Sequence, residues 1–92
     1  MKPSYRSEDG NIVELLNIKG IEFIKTKEIN FEGEIYSEFR NKDKNKIYFA
    51  IKDGEEYKEI IDENKLNRMI KENYKVKNNA DIINKKNVLK YN

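Results

Sequence analysis

Two alternating segments flank a polar, mostly basic run in the middle of the chain, and this arrangement constrains the fold most. Residues 34–40 and residues 46–52 each alternate apolar and polar side chains with a period of two, which is typical of half-buried strands. The run between them, Asn41 to Asn45, has five residues, a length that suits a hairpin loop. The sequence therefore predicts an antiparallel hairpin at the centre of the chain.

Pairing Arg40 with Lys46 gives this hairpin one coherent apolar face. That face would hold Ile35, Phe39, Ile47, Phe49 and Ile51. Tyr36 and Tyr48 would then lie on the opposite, exposed face. Because a slip of one residue would move the two apolar sets to opposite faces, we expect this register to be strongly specified.

Turn signals divide the rest of the N-terminal part into further short segments. Asp9-Gly10, Gly33 and Asp53-Gly54 mark turns. The segment after Asp53-Gly54 is predicted to pair through a three-residue turn with a bulge, which would place Tyr57 and Ile61 on the core face. Residues 1–10 are predicted to form a flexible arm or an edge strand.

The two segments between these turns have different patterns. Residues 21–31 alternate apolar and polar side chains, with Ile21, Phe23, Ile29 and Phe31 on one face. Lys25 and Lys27 interrupt this apolar face. A bulge is therefore expected near Thr26. Residues 11–19 fit either a strand or one face of a helix, and the β-rich context favours the strand.

One amphipathic helix is predicted over about residues 63–75. Asp62 is a suitable N-cap, because its carboxylate can accept hydrogen bonds from unpaired first-turn N–H groups. Ile61 and Leu66 occupy the positions of a hydrophobic staple, and Leu66, Met69 and Ile70 form an inner stripe. Residues 76–92 contain two short apolar runs, which fit a small hairpin or a last strand.

The fold class predicted for residues 1–92, taken as a single small domain, is therefore α+β. It comprises a four- to five-stranded, mainly antiparallel sheet arranged as a β-meander, the one helix packed on it, and a short C-terminal β piece. A core this small, with 37% hydrophobic residues, is compatible with a monomer or a homodimer.

Composition excludes several kinds of chemistry. The chain has no His and no Cys, so the common catalytic triads, disulfides and nearly all zinc sites are absent, and we expect no metal and no cofactor. The longest apolar run, residues 47–51, is far shorter than the ~20 residues of a membrane helix. With no signal-like N-terminus, a cytoplasmic location is expected. The many Lys, Asn and Ile residues indicate an AT-rich genome.

Two surfaces are candidates for binding. The first is the exposed face and loop of the central hairpin, expected to bind a protein partner. Its members are Tyr36, Tyr48, Arg40, Lys42, Lys44 and Lys46. The second, expected to bind nucleic acid, lies in the basic C-terminal third, although lysines there also solvate a helix. Its members are Lys65, Arg68, Lys71, Lys75, Lys77, Lys85 and Lys86.

Three functions are compatible with these features. The first is a non-enzymatic phage or mobile-element inhibitor that blocks a host protein machine by surface contact, as anti-CRISPR inhibitors do. Its partner would be a protein, such as a nucleoprotein effector. The second is a small nucleic-acid-binding regulator that uses the basic helix and tail. The third is a ribonuclease toxin without His. Toxins of the RelE type resemble this chain weakly, since they place helices before the main sheet and are more basic.

Overall fold

The computed structural model describes residues 1–41, 43 and 45–73, which form one antiparallel sheet and one helix. The sheet contains six strands in sequence order, so each strand pairs with the next along the chain. A helix, α1, begins at residue 63 and is described as far as residue 73. The strands are β1 (Ser4–Glu8), β2 (Asn11–Ile18), β3 (Ile21–Phe31), β4 (Glu34–Asn41), β5 (Lys46–Asp53) and β6 (Glu56–Asp62).

Two-residue turns containing glycine close four of the five hairpins. In Asp9-Gly10, Lys19-Gly20 and Glu32-Gly33 both residues have positive φ, between 49° and 81°. This is the type I′ geometry, whose twist matches that of the flanking strands. Gly54 alone has positive φ in the turn between β5 and β6, which indicates type II′.

The sheet curls so strongly that the segment before its first strand meets its last strand. Met1 and Tyr57 exchange two backbone hydrogen bonds, 2.8 and 2.9 Å long, which join the N-terminal end to β6. The Tyr57 side chain also reaches Glu14 on β2. In a flat sheet β2 and β6 would lie about 19 Å apart. The curl gives the sheet an inner and an outer face.

The inner face carries one hydrophobic cluster, in which the two rings of Phe39 and Tyr57 meet edge to face at 5.4 Å. Tyr48, Ile21 and Ile60 pack against it while partly buried. Because residues from β2 to β6 contact one another here, this cluster holds the curl closed. Its buried members are Leu16, Ile18, Phe23, Phe39, Ala50 and Tyr57.

The outer face carries a second cluster, beneath α1. Leu66 is its helical member and is buried, and Met69 packs beside it. The Asp62 carboxylate accepts a 2.7 Å hydrogen bond from the backbone N–H of Lys65, so the predicted N-cap is confirmed. Ile70, predicted to face inward, is instead exposed. The sheet contributes Tyr36, Phe49, Ile51 and Ile61, with Ile29, Phe31 and Ile47 at the margin.

The predicted register of the central hairpin is wrong by one residue. Arg40 pairs with Ile47, and Asn41 pairs with Lys46, so the loop has four residues, 42–45, rather than five. Phe39 consequently lies on the inner face, and Phe49 and Ile51 lie on the outer face. The prediction failed because both faces of the hairpin are buried. Apolar side chains are therefore removed from water in either register, and the sequence pattern does not distinguish the two.

Two bulges explain the other errors of face. The expected bulge near Thr26 is confirmed, since the β3–β4 register shifts between Lys25 and Lys27. It places Phe23 on the inner face and Ile29 on the outer face, although both were predicted on one face. A second shift, in β6 opposite Ile51 and Lys52, similarly places Tyr57 on the inner face and Ile61 on the outer face, although both were predicted on the core face. The turn before β6 has two residues rather than the predicted three.

The α+β class, the antiparallel meander and the single helix are therefore confirmed for the described residues, but the strand count is six rather than four or five. The additional strand is β1, which makes the start of the chain an edge strand. Residues 11–18 form β2, as the favoured alternative predicted. The predicted C-terminal β piece, the hairpin tail at 76–92 and the last helical residues, 74–75, lie outside the described residues.

Candidate functional site

The sheet divides between β2 and β3, and this division forms the candidate site. The two strands pair only from Leu15 opposite Ile24 to Ile18 opposite Ile21. Beyond Leu15 and Ile24 the β1–β2 and β3–β4 hairpins pair no further with each other, and a cleft of about 340 Å³ lies between them. We call this cleft the sheet split. Its lining is Tyr5, Ile12, Val13 and Glu14 on one side and Lys25, Thr26, Lys27 and Glu28 on the other.

Two large apolar side chains are exposed along one wall of the sheet split. Tyr5 is 62% exposed and Ile12 is 77% exposed. They are diagonal neighbours, because Tyr5 pairs with Glu14 and Ser7 pairs with Ile12 in the β1–β2 ladder. Adjacent exposed apolar side chains of this size, beside polar groups, are typical of interaction sites.

A row of alternating charges continues from this wall across the inner face. The Lys25 ammonium lies 3.8 Å from the Glu14 carboxylate and 2.5 Å from that of Glu28. Lys52 in turn lies 3.5 Å from Glu28. The hydrogen bond from Lys25 is the largest cause of the lowered pKa of Glu28. The row thus contains two acids and two bases, and its charges compensate one another.

The Tyr57 phenol contacts the Glu14 end of this row. Its hydroxyl donates to the Glu14 carboxylate and lies 3.3 Å from the Ser37 hydroxyl. Burial, followed by the hydrogen bond to Glu14, raises the pKa of Tyr57 well above its ordinary value. A phenol that is buried and harder to ionise is a poor general base, so this cluster favours a structural role for Tyr57.

The buried carboxylate of Glu38, on β4, lies on the outer face of the sheet, opposite the bulge in β3. Glu38 is only 3% exposed, and its Oε1 accepts hydrogen bonds from Thr26 Oγ1 at 2.6 Å and Arg40 Nε at 2.8 Å. Lys27 lies 3.7 Å away. Burial alone would raise the pKa of Glu38, but the hydrogen bonds from Arg40 and Thr26 and the nearby positive charges together lower it.

We expect Glu38→Gln to destabilise the protein by about 1–3 kcal/mol at neutral pH, since it weakens buried, charge-assisted hydrogen bonds. Because folding lowers the pKa of Glu38, its contribution is complete above the ordinary Glu pKa of about 4.3 and disappears as the pH falls through the folded value. Urea unfolding at several pH values measures both effects.

Glu34→Gln is the matched control, because Glu34 lies on the same strand and face but pairs with Lys58 at the surface. We expect it to change stability by less than about 1 kcal/mol. A Glu38→Gln variant as stable as the Glu34 control at neutral pH would contradict the structural role of Glu38.

The two tyrosines predicted as a shared binding platform lie on opposite faces. Tyr36 is 4% exposed and packs edge to face on Phe31 in the cluster beneath α1. Burial is the first cause of its raised pKa. Tyr48 is half-buried on the inner face, 5.2 Å from the ring of Phe23. The prediction that both are exposed on one face is therefore wrong, because the hairpin register differs by one residue.

The predicted cations occupy separate places. Arg40 is exposed and bonded to Glu38, and Lys46 is exposed at the start of β5. Lys65, Arg68 and Lys71 are exposed on α1, and Lys65 lies 3.5 Å from Glu59. The others lie outside the described residues: Lys42, Lys44, Lys75, Lys77, Lys85 and Lys86. That these groups bind protein or nucleic acid stays a prediction.

Sequence reasoning missed Tyr5 and Ile12. The signal was available in the Asp9-Gly10 turn, since a two-residue hairpin there pairs residues 4–8 with residues 11–15. Following that pairing would have brought Tyr5 and Ile12 to one face. The divergence of β2 from β3 has no comparable signal in the sequence. The sequence indicates the bulge at Thr26, but it does not indicate which residues that bulge exposes.

No protein-family model, curated protein or solved structure matches the chain. The described helix is neither long nor apolar enough to cross a membrane. Within residues 1–41, 43 and 45–73, no three acidic side chains are grouped in a way that could hold a metal ion. The function of this chain must therefore be inferred from its own sequence and geometry.

Proposed function

We propose that this chain is a small non-enzymatic binding protein that contacts a protein partner through the sheet split. The observation that carries the proposal is the exposure of Tyr5 and Ile12 side by side, at 62% and 77%. Removing two such side chains from water is favourable, and tyrosine is enriched among the residues that dominate protein interfaces.

The charges around this surface favour a protein over a phosphate backbone. Arg6, close to Tyr5 in the chain, is bonded to Glu8 and to Glu22. Arg40 is bonded to Glu38, and the lysines of the inner row are paired with acids. A phosphate would have to displace these carboxylates or accept their repulsion, whereas an apolar side chain of a partner would not.

The kind of partner is proposed from the profile of the chain. It is short, has no His or Cys, and has the Lys, Asn and Ile content of an AT-rich genome. These properties suit a phage or mobile-element product that inhibits a host protein machine by occupying its surface, in the manner of anti-CRISPR inhibitors. Such an inhibitor needs an exposed contact surface and no catalytic group.

The experiment expresses the chain in bacterial strains that each carry one active CRISPR–Cas system, and measures transformation by a targeted plasmid. We expect transformation to be restored in one system. Tyr5→Ser combined with Ile12→Ser should weaken binding to the isolated effector at least about 30-fold, because the loss of even one interface anchor costs about 2 kcal/mol or more.

The matched control replaces Lys65, Arg68 and Lys71 with Gln, which removes exposed charges of α1 and leaves the sheet split intact. This variant should inhibit as well as the unaltered chain. Inhibition in none of the systems contradicts the proposed partner class. Inhibition that survives the Tyr5 and Ile12 changes but is lost in the α1 variant contradicts the proposed surface and favours nucleic-acid contact.

A further inference from the structure

The sheet split exposes strand edges inside the sheet. β2 pairs with β1 along its whole N-terminal half, but on its other side residues 11–14 have no strand partner among the described residues. The same holds for residues 26–31 of β3 on the side that faces β2. Unpaired strand edges bind other extended chains readily, because their N–H and C=O groups need partners.

The ladder pattern shows which backbone groups face the sheet split. Glu8 and Asn11 flank a two-residue turn, so they form a hydrogen-bonded pair, and alternation makes Arg6 and Val13 the next one. The N–H and C=O groups of Ile12 and Glu14 therefore point away from β1, toward the sheet split. This gives β2 two donors and two acceptors spaced as an antiparallel strand requires.

The outer edge of β1 is less suited to strand addition. Pro3 precedes it and has no N–H group, while Arg6 and Glu8 place charges along a strand of only five residues. Short length, proline and charge are the features with which natural proteins protect sheet edges. The edge of β2 in the sheet split has neither proline nor a charged side chain at Ile12 and Val13.

We propose that the sheet split binds an extended segment of the partner protein as an added strand, antiparallel to β2 and hydrogen-bonded to Ile12 and Glu14. The proposal rests on the proposed function, since it describes how the partner would occupy the same surface. Main-chain hydrogen bonds would supply affinity, and alternate side chains would supply specificity.

The walls of the sheet split specify the side chains of that segment. A residue opposite Ile12 would point to the inner face, where exposed Ile12 and Tyr5 favour an apolar side chain. Its two neighbours would point to the outer face, where Lys27 is 58% exposed beside the sheet split. The Lys27 ammonium lies 3.7 Å from the Glu38 carboxylate, too far for a hydrogen bond, so its N–H donors can still pair with an acidic side chain of the segment. The segment we infer therefore has an apolar residue between two acidic ones.

The probe is the capped peptide Ser-Thr-Asp-Ile-Asp-Ser, and its matched control is Ser-Thr-Lys-Ile-Lys-Ser. Both are titrated into the ¹⁵N-labelled full chain and followed by amide chemical shifts. We expect the acidic peptide to shift the amides of Ile12, Glu14, Lys25 and Glu28 and to slow hydrogen exchange at Ile12 and Glu14. We expect the lysine peptide to bind at least about tenfold more weakly, a difference of about 1.4 kcal/mol.

Two variants separate backbone pairing from side-chain contact. Ile12→Pro removes an N–H that β1 does not use, so the hairpin should persist while strand addition is lost. Ile12→Ala keeps that N–H and should retain weakened binding. If Ile12→Pro disrupts the spectrum outside β1 and β2, the variant cannot be used to test strand addition. The deciding measurement is then whether α-protons of the peptide lie close to α-protons of β2 in the complex with the unaltered chain.

Binding of the acidic peptide that is equally strong in the Ile12→Pro and Ile12→Ala variants overturns strand addition, and so does the absence of shifts at the sheet split. Neither result touches the proposed function if the chain still inhibits an effector through Tyr5 and Ile12. Conversely, peptide binding without inhibition of any effector supports the strand site and contradicts only the proposed partner class.

Discussion

Replacing Phe39 with Ala is expected to destabilise the protein by about 3–5 kcal/mol. Phe39 is completely buried on the inner face, where its ring contacts Tyr57 across the curl of the sheet. The loss removes the transfer free energy of the ring and leaves a cavity in the cluster of the inner face, which the surrounding strands cannot fill easily. Because small domains have only about 5–15 kcal/mol of stability, thermal and urea unfolding should both show a large decrease.

The control for this prediction is Ile35→Ala. Ile35 lies on the same strand and the same face, but it is 37% exposed and belongs to neither cluster. We expect it to change stability by about 1 kcal/mol or less. Equal effects of the two substitutions would contradict the burial of the inner cluster, because Phe39 would then contribute no more than a surface residue.

The strands of this fold were predictable because each has a strong local signal. Glycine turns and alternation identify β3 to β6, and the Asp62 cap identifies the start of α1. These features depend only on neighbours in the chain, such as the positive φ of Gly33 and Gly54. These local signals are the same whatever packs against the strands.

The face of the sheet on which each side chain lies was not predictable, because local signals do not determine it. Alternation assumes one buried face and one wet face, and here α1 covers one face while the curl buries the other. Phe39 and Phe49 are therefore both core residues on opposite faces, and a register shifted by one residue appears equally good in the sequence. Tertiary packing, which no local pattern records, decides between them.

The candidate site was missed for a related reason. Lys25 and Lys27 correctly indicated a bulge, and a bulge bends its strand and ends regular pairing. The consequence, the separation of β3 from β2, depends on how far the neighbouring strand continues. Ile12 in particular lies in the segment predicted as a strand, but nothing in that prediction indicated that it is the most exposed of the large apolar side chains described.

We expect Tyr36→Ala to have a comparably large effect, a destabilisation of about 3–5 kcal/mol. Tyr36 lies in the cluster beneath α1 and packs against the ring of Phe31, so its loss should loosen the contact of Leu66 and Met69 with the sheet. Urea unfolding measures the free energy, and the methyl resonances of Leu66 report whether the helix stays docked.

Tyr5→Ala is the matched control, because it removes the same side chain from a position that is 62% exposed. It should leave stability within about 0.5 kcal/mol and weaken partner binding instead. The opposite pattern, a stable Tyr36 variant that no longer binds, would restore the central hairpin as the contact surface and remove the sheet split from that role. The two tyrosines thus separate folding from binding within one pair of substitutions.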